Sequence, residues 1–299
     1  MRMRIIVTGA NGFVGKNLAP RLADHEELEV TATDVQPGEF GPNAEFRFLD
    51  VTDESAVLSA LRDVDVIVHL AAHQLVPSLS DPRLNAKVNI MGMLNILEGA
   101  RKTKVRKVIF SSASSIIGDV LYNPVDEKHP CNPKTPYGVT KLACEQYLRM
   151  YQSLFGVNYV IFRFFNIYGP HQLEGLIPSI YRKISSGAAI DVYGDGKQVR
   201  DYVYVEDLGD IFAKSILKDV KNVTLNVGTG KGLDVLEVVE LASKILEKRP
   251  NLKFNPARPG EIQNFVANPE MIKTTLGIVP STGAEEGMRR TFAWLAGTS

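Results

Sequence analysis

The chain has 299 residues, 44% hydrophobic and 23% charged, so it is long enough to bury a large core and to hold two domains. Basic and acidic residues both total 34, and the resulting zero net charge gives no electrostatic basis for binding nucleic acid or an anionic membrane. The two cysteines, Cys131 and Cys144, form no CxxC pair or histidine cluster, so we expect neither a disulfide framework nor a metal site. No apolar run is long enough to span a membrane, and the chain opens directly on a strand, so we expect a cytoplasmic protein.

The first predicted strand, residues 4–7, leads through a glycine-rich turn into a helix. Gly9, Gly12 and Gly15 are three positions apart. Residues without a Cβ suit a tight turn, close approach of the backbone to a pyrophosphate, and close packing of the helix on the sheet. The helix N-terminus adds unpaired amides and a partial positive charge. We therefore favour a dinucleotide site over an ordinary strand-to-helix turn without a ligand.

A second strand, 28–33, ends at Asp34, nineteen positions after Gly15. A carboxylate there accepts hydrogen bonds from an adenosine ribose and repels a 2′-phosphate, so it predicts NAD rather than NADP. A short third strand, 46–49, is followed by Asp50, where Thr52 or Asp53 caps a helix through residue 61. Asp50 is a candidate partner for the adenine amino group, with simple loop solvation as a close alternative.

The next predicted elements are a nearly continuous apolar strand at 64–72, a helix at 83–102 and a fifth strand at 105–110. His69, within the apolar strand, is better explained as a structural histidine than as a ligand or base. Strands that alternate with helices predict a doubly wound parallel α/β sheet of the Rossmann type. We assign residues 1–165 to an NAD-binding domain with a segment returning near 200–220, and 166–299 mainly to a smaller mixed α/β substrate domain.

Tyr137 and Lys141 open a long predicted helix, 137–155, just after Pro136. Residues four apart lie on one face of a helix. A tyrosine hydroxyl titrates near pKa ~10, and a neighbouring ammonium together with a positive nicotinamide ring favours the phenolate. Tyr137 is therefore the candidate base for a sugar hydroxyl, and Lys141 can also bind the nicotinamide ribose. A YxxxK pair alone is a common feature of amphipathic helices; its position after the fifth strand makes it informative.

Taken together, these motifs resemble the extended short-chain dehydrogenase/reductase superfamily, and more narrowly the NAD-dependent epimerase/dehydratase family that acts on nucleotide sugars. The resemblance extends over nearly the whole chain. It rests on TGANGFVG from Thr8, HLAA from His69, the serine-rich strand end at 111–115, YGVTK from Tyr137, RFFNIYGP from Arg163, RDYVYVED from Arg200 and RPGE from Arg258.

The resemblance implies a UDP-hexose 4-epimerase that works through a transient 4-keto sugar, with NAD bound throughout the cycle. It assigns substrate binding to four residues. Asn166, Arg200 and Arg258 would hold the diphosphate, and Tyr202 would also contact the substrate. Arginine suits this role because its planar fork binds phosphate oxygens, although Arg200 can instead pair with Asp201 or Asp207 and Arg258 can be a solvated surface charge. The residues expected to contact the cofactor are Gly9, Asn11, Gly12, Phe13, Val14, Gly15, Asp34, Asp50, Val51, Leu70, Ala71, Ala72, Asn89, Ser111, Tyr137 and Lys141.

The serine-rich strand end departs from the family pattern. When aligned on Gly118, the position of the catalytic serine or threonine falls on Ala113 and that of a tyrosine on Ile117. We therefore consider Ser112 and Ser114 as catalytic replacements. Because this stretch carries no acid for proton transfer, an epimerase is favoured over a nucleotide-sugar dehydratase or reductase, and Ala113 keeps open an NAD/UDP-sugar-binding protein of low turnover.

Homodimerisation is a further implication of the resemblance. The helices at 83–102 and 137–155 would pair across a two-fold axis into a four-helix bundle. The expected small-molecule partner is a UDP-sugar; the sequence leaves the sugar itself open.

Overall fold

The computed structural model describes residues 2–298. The strands are β1 (Met3–Thr8), β2 (Leu28–Asp34), β3 (Ala44–Phe48), β4 (Val66–His69), β5 (Lys107–Ala113), β6 (Tyr159–Phe164), β7 (Asn166–Tyr168), β8 (Ala189–Tyr193), β9 (Val199–Tyr204), β10 (Val223–Val227), β11 (Gly232–Leu233), β12 (Asn251–Asn255) and β13 (Asn264–Phe265). The α-helices are α1 (Phe13–Ala23), α2 (Glu54–Ala60), α3 (Leu75–Ser80), α4 (Pro82–Ala86), α5 (Gly92–Thr103), α6 (Pro136–Phe155), α7 (Leu176–Ser186), α8 (Asp207–Leu217), α9 (Val235–Leu246), α10 (Glu270–Leu276) and α11 (Ala284–Gly297).

Seven strands form one parallel sheet in the order β3-β2-β1-β4-β5-β6-β10. The order reverses at β1, so the β1 and β4 carboxyl ends flank the crevice in which open α/β sheets bind ligands. This is the doubly wound fold predicted from the sequence, with five of its seven strands anticipated. The two others, β6 and β10, complete one side of the sheet. Helix α8 and strand β10, residues 207–227, return to this sheet, while β9 belongs to a different sheet.

Each face of the seven-stranded sheet carries its own apolar core. One core includes buried residues of α1 and α8, among them Leu18 and Phe212. The other includes residues of α2, α5 and α6, among them Val57, Ile96 and Leu148. Strands buried on both faces are expected to be apolar along their whole length, which explains the VIVH and YVIF runs of β4 and β6.

The predicted helix at 83–102 is divided. Helix α4 is followed by one π-helical turn, Lys87–Met91, and then by α5. Such turns insert an extra residue into a helix and often occur near functional sites. Here the turn carries Asn89, which is 3% exposed and points towards α6, where it binds Thr140.

The rest of the chain forms a smaller mixed α/β region, as predicted. Strand β9 pairs with β7 and β13 in parallel and with β11 in antiparallel orientation, and β8 pairs with β12. Helices α7, α9 and α11 contribute to a third core. A small fourth core joins Ile117 and Val125 to Phe165 and Phe265, next to the end of β5.

Candidate active site

The glycine-rich turn after β1 is held by close backbone contacts. Gly9 has φ +70°, and a Cβ there would lie 2.5 Å from the amide nitrogen of Ala71. A Cβ on Gly15 would lie 2.5 Å from the Cα of Ala10, within the turn itself. The first glycine therefore makes the turn and the last lets α1 pack against it, as two of the three predicted roles require.

The N-terminus of α1 is open to a ligand. Gly12 is its N-cap and has no side chain to bind the first amides of the helix. These amides and the helix dipole favour an anion. One carboxylate oxygen of Asp34 accepts a hydrogen bond from the Asn11 amide at 3.0 Å and the other accepts one from the Gln36 amide at 3.1 Å, which aims the carboxylate at the turn. Backbone space for a pyrophosphate beside an acid for a ribose fits a dinucleotide without a 2′-phosphate.

A cavity of about 970 Å³ begins at this turn and reaches α6. Fifteen of the sixteen predicted cofactor residues line it, Asp50 included. One Asp50 carboxylate oxygen accepts a hydrogen bond from the Thr52 amide at 2.8 Å and so stabilises the loop after β3. Asp50 also lines the cavity.

Tyr137 and Lys141 line the far end of the same cavity. Thr135 caps α6 by accepting a bond from the Gly138 amide, and Pro136 occupies its first turn, so the start of the helix is well defined. The Lys141 ammonium donates to the Ser111 carbonyl at 2.6 Å and lies 5.5 Å from the centre of the Tyr137 ring.

Burial dominates the electrostatics of this pair within the chain itself. Burial raises the pKa of the Tyr137 phenol above its ordinary value. Burial also lowers the pKa of Lys141 to about 8, although Cys144 and Glu145 favour its ammonium form. The Lys141 ammonium is directed to the Ser111 carbonyl, and burial is the main cause of the raised phenol pKa. The predicted lowering of that pKa, which includes the nicotinamide charge, stays a prediction.

The serines at the end of β5 differ in their hydrogen bonds and in whether they line the cavity. Ser112 lines the cavity but is only 1% exposed, and its hydroxyl donates to a carboxylate oxygen of Glu145 at 2.7 Å, which argues against its predicted role as a catalytic replacement. Ser114 begins a 3₁₀ turn and does not line the cavity, whereas Ala113 does. Ile117 is buried in the fourth core, which explains an apolar residue where the family pattern has tyrosine.

Comparison with known proteins agrees with this geometry. The family model described as the NAD dependent epimerase/dehydratase family matches residues 5–228. The chain belongs to that family. Its cofactor is accordingly NAD, which the glycine turn and Asp34 fit.

Individual family members match end to end. The UDP-glucose 4-epimerase of Mycolicibacterium smegmatis is 31% identical over 312 residues, 99% of this chain and 100% of the relative. A crystal structure of UDP-glucose 4-epimerase from Thermotoga maritima with UDP-glucose superposes with a TM-score of 0.91 at 30% identity, covering 99% of both chains. A UDP-N-acetylglucosamine 4-epimerase from Methanobrevibacter ruminantium in complex with UDP-N-acetylmuramic acid gives 0.92 at 28% identity and complete coverage of both.

Of the sixteen residues predicted to contact the cofactor, Asn89 is the one that does not line the cavity. Its amide nitrogen donates to the His73 carbonyl and to the Thr140 hydroxyl, and its amide oxygen accepts from the His73 amide. Through these bonds Asn89 fixes the loop after β4 to α6. Both N–H groups of its amide are engaged and one acceptor position of its oxygen remains, so direct contact with the cofactor stays a prediction.

The predicted substrate residues lie outside the cavity. Arg200 donates to the Val199 and Ile262 carbonyls, at 2.8 and 2.7 Å. Arg258 is exposed and stacks on Tyr193, with its guanidinium 3.8 Å from the ring centre. Asn166 donates to the Asp201 carbonyl, opposite Tyr202 in the β7–β9 register. No salt bridge joins either arginine to an acid among residues 2–298, so the alternatives with Asp201 and Asp207 are not seen.

Several wall residues were not predicted from the sequence. One group of them comprises Phe164, Phe165, Ile167, His171, Gln172 and Leu173. All lie in or just after the RFFNIYGP motif, which the resemblance assigns to the substrate diphosphate alone. The strand before that motif, β6, lies next to β5, and this adjacency was the available signal.

Two general features complete the description. Within residues 2–298, no group of three or more His, Cys, Asp or Glu side chains is placed to hold a metal ion. In the same span, none of the helices combines the length and apolar character that crossing a bilayer requires.

Proposed function

We propose that this protein is an NAD-dependent UDP-hexose 4-epimerase that acts through a 4-keto sugar. The observation that carries the proposal is one cavity with a dinucleotide turn at one end and the Tyr137–Lys141 pair at the other. The full-length similarity to UDP-sugar 4-epimerases supports it.

In this mechanism Tyr137 handles the proton of the sugar 4-hydroxyl. NAD, when bound, supplies reversible hydride transfer at C4. Tyr137 takes the hydroxyl proton as the 4-keto sugar forms and returns it after the sugar has turned over. Burial favours the neutral phenol, so the Lys141 ammonium and the nicotinamide charge must oppose that preference for Tyr137 to act as a base. Lys141 also holds the nicotinamide ribose.

For the substrate we propose Asn166, Arg200, Tyr202 and Arg258. Arg200 and Arg258 are the cations placed on β9 and on the loop after β12, and each now binds only carbonyls or an aromatic face. Both can exchange these contacts for charge-assisted bonds to a diphosphate.

The main alternatives differ at the end of β5. A dehydratase or reductase needs a proton-transfer acid there, and residues 113–117 contain none. A binding protein of low turnover is favoured by one observation, that the cavity wall offers Ala113 where the family has a hydroxyl.

A panel assay separates these functions. Purified protein, with and without added NAD, is incubated with UDP-glucose, UDP-N-acetylglucosamine and UDP-glucuronate, and each mixture is analysed for the 4-epimer and for 4-keto-6-deoxy products. We expect interconversion of at least one sugar and its loss, by a factor of ~10²–10⁴, in Tyr137→Phe. The Tyr147→Phe variant, on the same helix, is the matched control and keeps activity. Deoxy products would favour the dehydratase; NAD binding without any product would favour the low-turnover protein.

We also propose a cytoplasmic homodimer. The helices expected in the four-helix bundle expose Leu84, Met91, Val139, Met150 and Leu154, an apolar surface that a second copy would bury. Both cysteines are free, as a reducing compartment requires. Light scattering at micromolar concentration should give twice the 33.0 kDa chain mass, and Met150→Glu should shift it towards the monomer. A monomeric wild-type protein would contradict the dimer.

A further inference from the structure

Helix α6 carries a third titratable residue, Glu145, in line with Tyr137 and Lys141. Glu145 lies one turn beyond Lys141, so all three are on the same face of the helix. Its side chain is completely buried, in a position where an unpaired carboxylate would be costly.

The Glu145 carboxylate is fully bonded. One oxygen accepts from the Ser112 hydroxyl at 2.7 Å and from Arg163 Nε at 3.0 Å. The other accepts from Arg163 Nη2 and from Arg149 Nη2, both at 2.8 Å. Burial opposes the charged form, but these bonds together outweigh it and hold the pKa of this carboxyl below its usual range.

These bonds join α6 to two neighbouring strands. Ser112 on β5 and Arg163 on β6 are partners in the strand register, so the carboxylate spans both strands. Arg163 also donates to the Glu127 carbonyl at 3.0 Å, which ties in the segment before α6. The end of β5 is thus fixed to the helix through a serine that itself lines the cavity.

Two neighbouring residues of β5 bind α6, one as an acceptor and the next as a donor. Lys141 on the helix donates to the Ser111 carbonyl, and Ser112 on the strand donates back to Glu145. Together they fix the position of α6 along β5, and hence the places of Lys141 and of Tyr137 one turn earlier. A misplacement of ~1 Å in a site of this kind can cost ~10²-fold in rate.

We propose that Glu145, through Ser112, is a positioning residue for the Tyr137–Lys141 pair. Ser112 lines the cavity but donates its hydroxyl to Glu145, so we assign it as a tether and not as the source of the hydroxyl missing at Ala113. The kinetic test of this inference, through kcat and KM, rests on the proposed function. The binding test, through the NAD Kd, rests on the NAD site alone.

The test compares Ser112→Ala, Ser112→Thr and Arg149→Met in the full chain. Ser112→Ala removes the tether and leaves Glu145 paired with both arginines, so the fold is retained. We expect kcat on the sugar identified by the panel to fall about tenfold, with KM within about twofold, and the NAD Kd from calorimetry to rise about fivefold. Ser112→Thr, which keeps the hydroxyl, should restore both values.

Arg149→Met is the matched control because Arg149 binds the same carboxylate from the solvent side without touching a strand of the cavity wall. It should change kcat, KM and Kd by less than about twofold, whatever it does to Tm. Wild-type kcat and Kd in Ser112→Ala, or equal losses in Arg149→Met, would overturn the proposal. If the wild type turns over no sugar, the proposed function fails, and the NAD Kd series still decides the role of Glu145.

Discussion

The two ends of the cavity differ in whether backbone or side chains form the wall. The dinucleotide end is made of backbone: Gly9 and Gly15 leave no space for a Cβ, and the amides of α1 face the cavity. The sugar end is made of side chains from separate elements, with Tyr137 and Lys141 on α6 and Ala113 on β5. A backbone site tolerates almost no substitution because every residue type adds the same Cβ. A side-chain site can change one group without altering the fold, and Ala113 is such a change.

The largest expected effect is at the backbone end. Gly9→Ala should lower the free energy of unfolding by about 2–5 kcal/mol, the sum of about 1–2 for a left-handed residue and about 1–3 for overpacking against Ala71. Gly41→Ala is the matched control, because Gly41 has φ +77° and a Cβ added there would meet no atom within 4 Å. It should cost only the left-handed part, about 1–2 kcal/mol. Urea denaturation of both variants measures the difference, and equal losses would show that contact with Ala71 does not constrain the turn.

The same contrast explains how much could be predicted from the sequence. Glycine spacing, apolar strands and the helix position of Tyr137 and Lys141 are local features, and they predicted the sheet, the turn and the cavity ends. Asp34 was predicted for the same reason, since it ends a strand at a fixed spacing from Gly15.

What the sequence missed depends on contacts between distant residues. Ser112 looks equivalent to Ser114 along the chain, and only the packing of α6 on β5 shows that Glu145 occupies its hydroxyl. The π-helical turn at Lys87–Met91 has no marker in the apolar spacing, and only the fold shows that Asn89 binds Thr140. Strand β10 follows α8 and enters the sheet beside β6, a pairing across about sixty residues that no local pattern specifies.

A smaller effect, of opposite sign, is expected at the sugar end. Ala113→Ser places a hydroxyl on the cavity wall near Tyr137, where the family pattern has one. If Tyr137 works there without a partner hydroxyl, kcat should rise by about 100-fold, the lower end of the range for a positioned proton-transfer group. Steady-state kinetics with the sugar identified by the panel measure it, and the NAD Kd should stay within about twofold of wild type because the backbone end is unchanged.

Ser114→Ala is the matched control for that gain. Ser114 does not line the cavity, so its loss should leave kcat unchanged. A large fall in Ser114→Ala, together with no gain in Ala113→Ser, would show that Ser114 supplies the hydroxyl after a local backbone shift, as the sequence allowed.

The smallest expected effect concerns His69, which lies between the two ends. Its Nδ1 pairs with the Thr8 hydroxyl at 2.8 Å, just before the glycine turn, and burial together with the Lys141 charge lowers the pKa of His69 from 6.5 to about 3. The unfolded chain takes up this proton below pH ~6.5 and the folded chain does not, so stability is lost as pH falls through that value, by about 1.4 kcal/mol at pH 5.5 for this residue. Denaturation at pH 7.5 and 5.5 should therefore show a smaller loss in His69→Gln than in wild type, with the half-buried His25 as the control in His25→Gln, which should match wild type. Equal losses of stability in wild type and His69→Gln would contradict this prediction. They would mean that the His69 imidazole takes up its proton in the folded state as readily as in the unfolded chain.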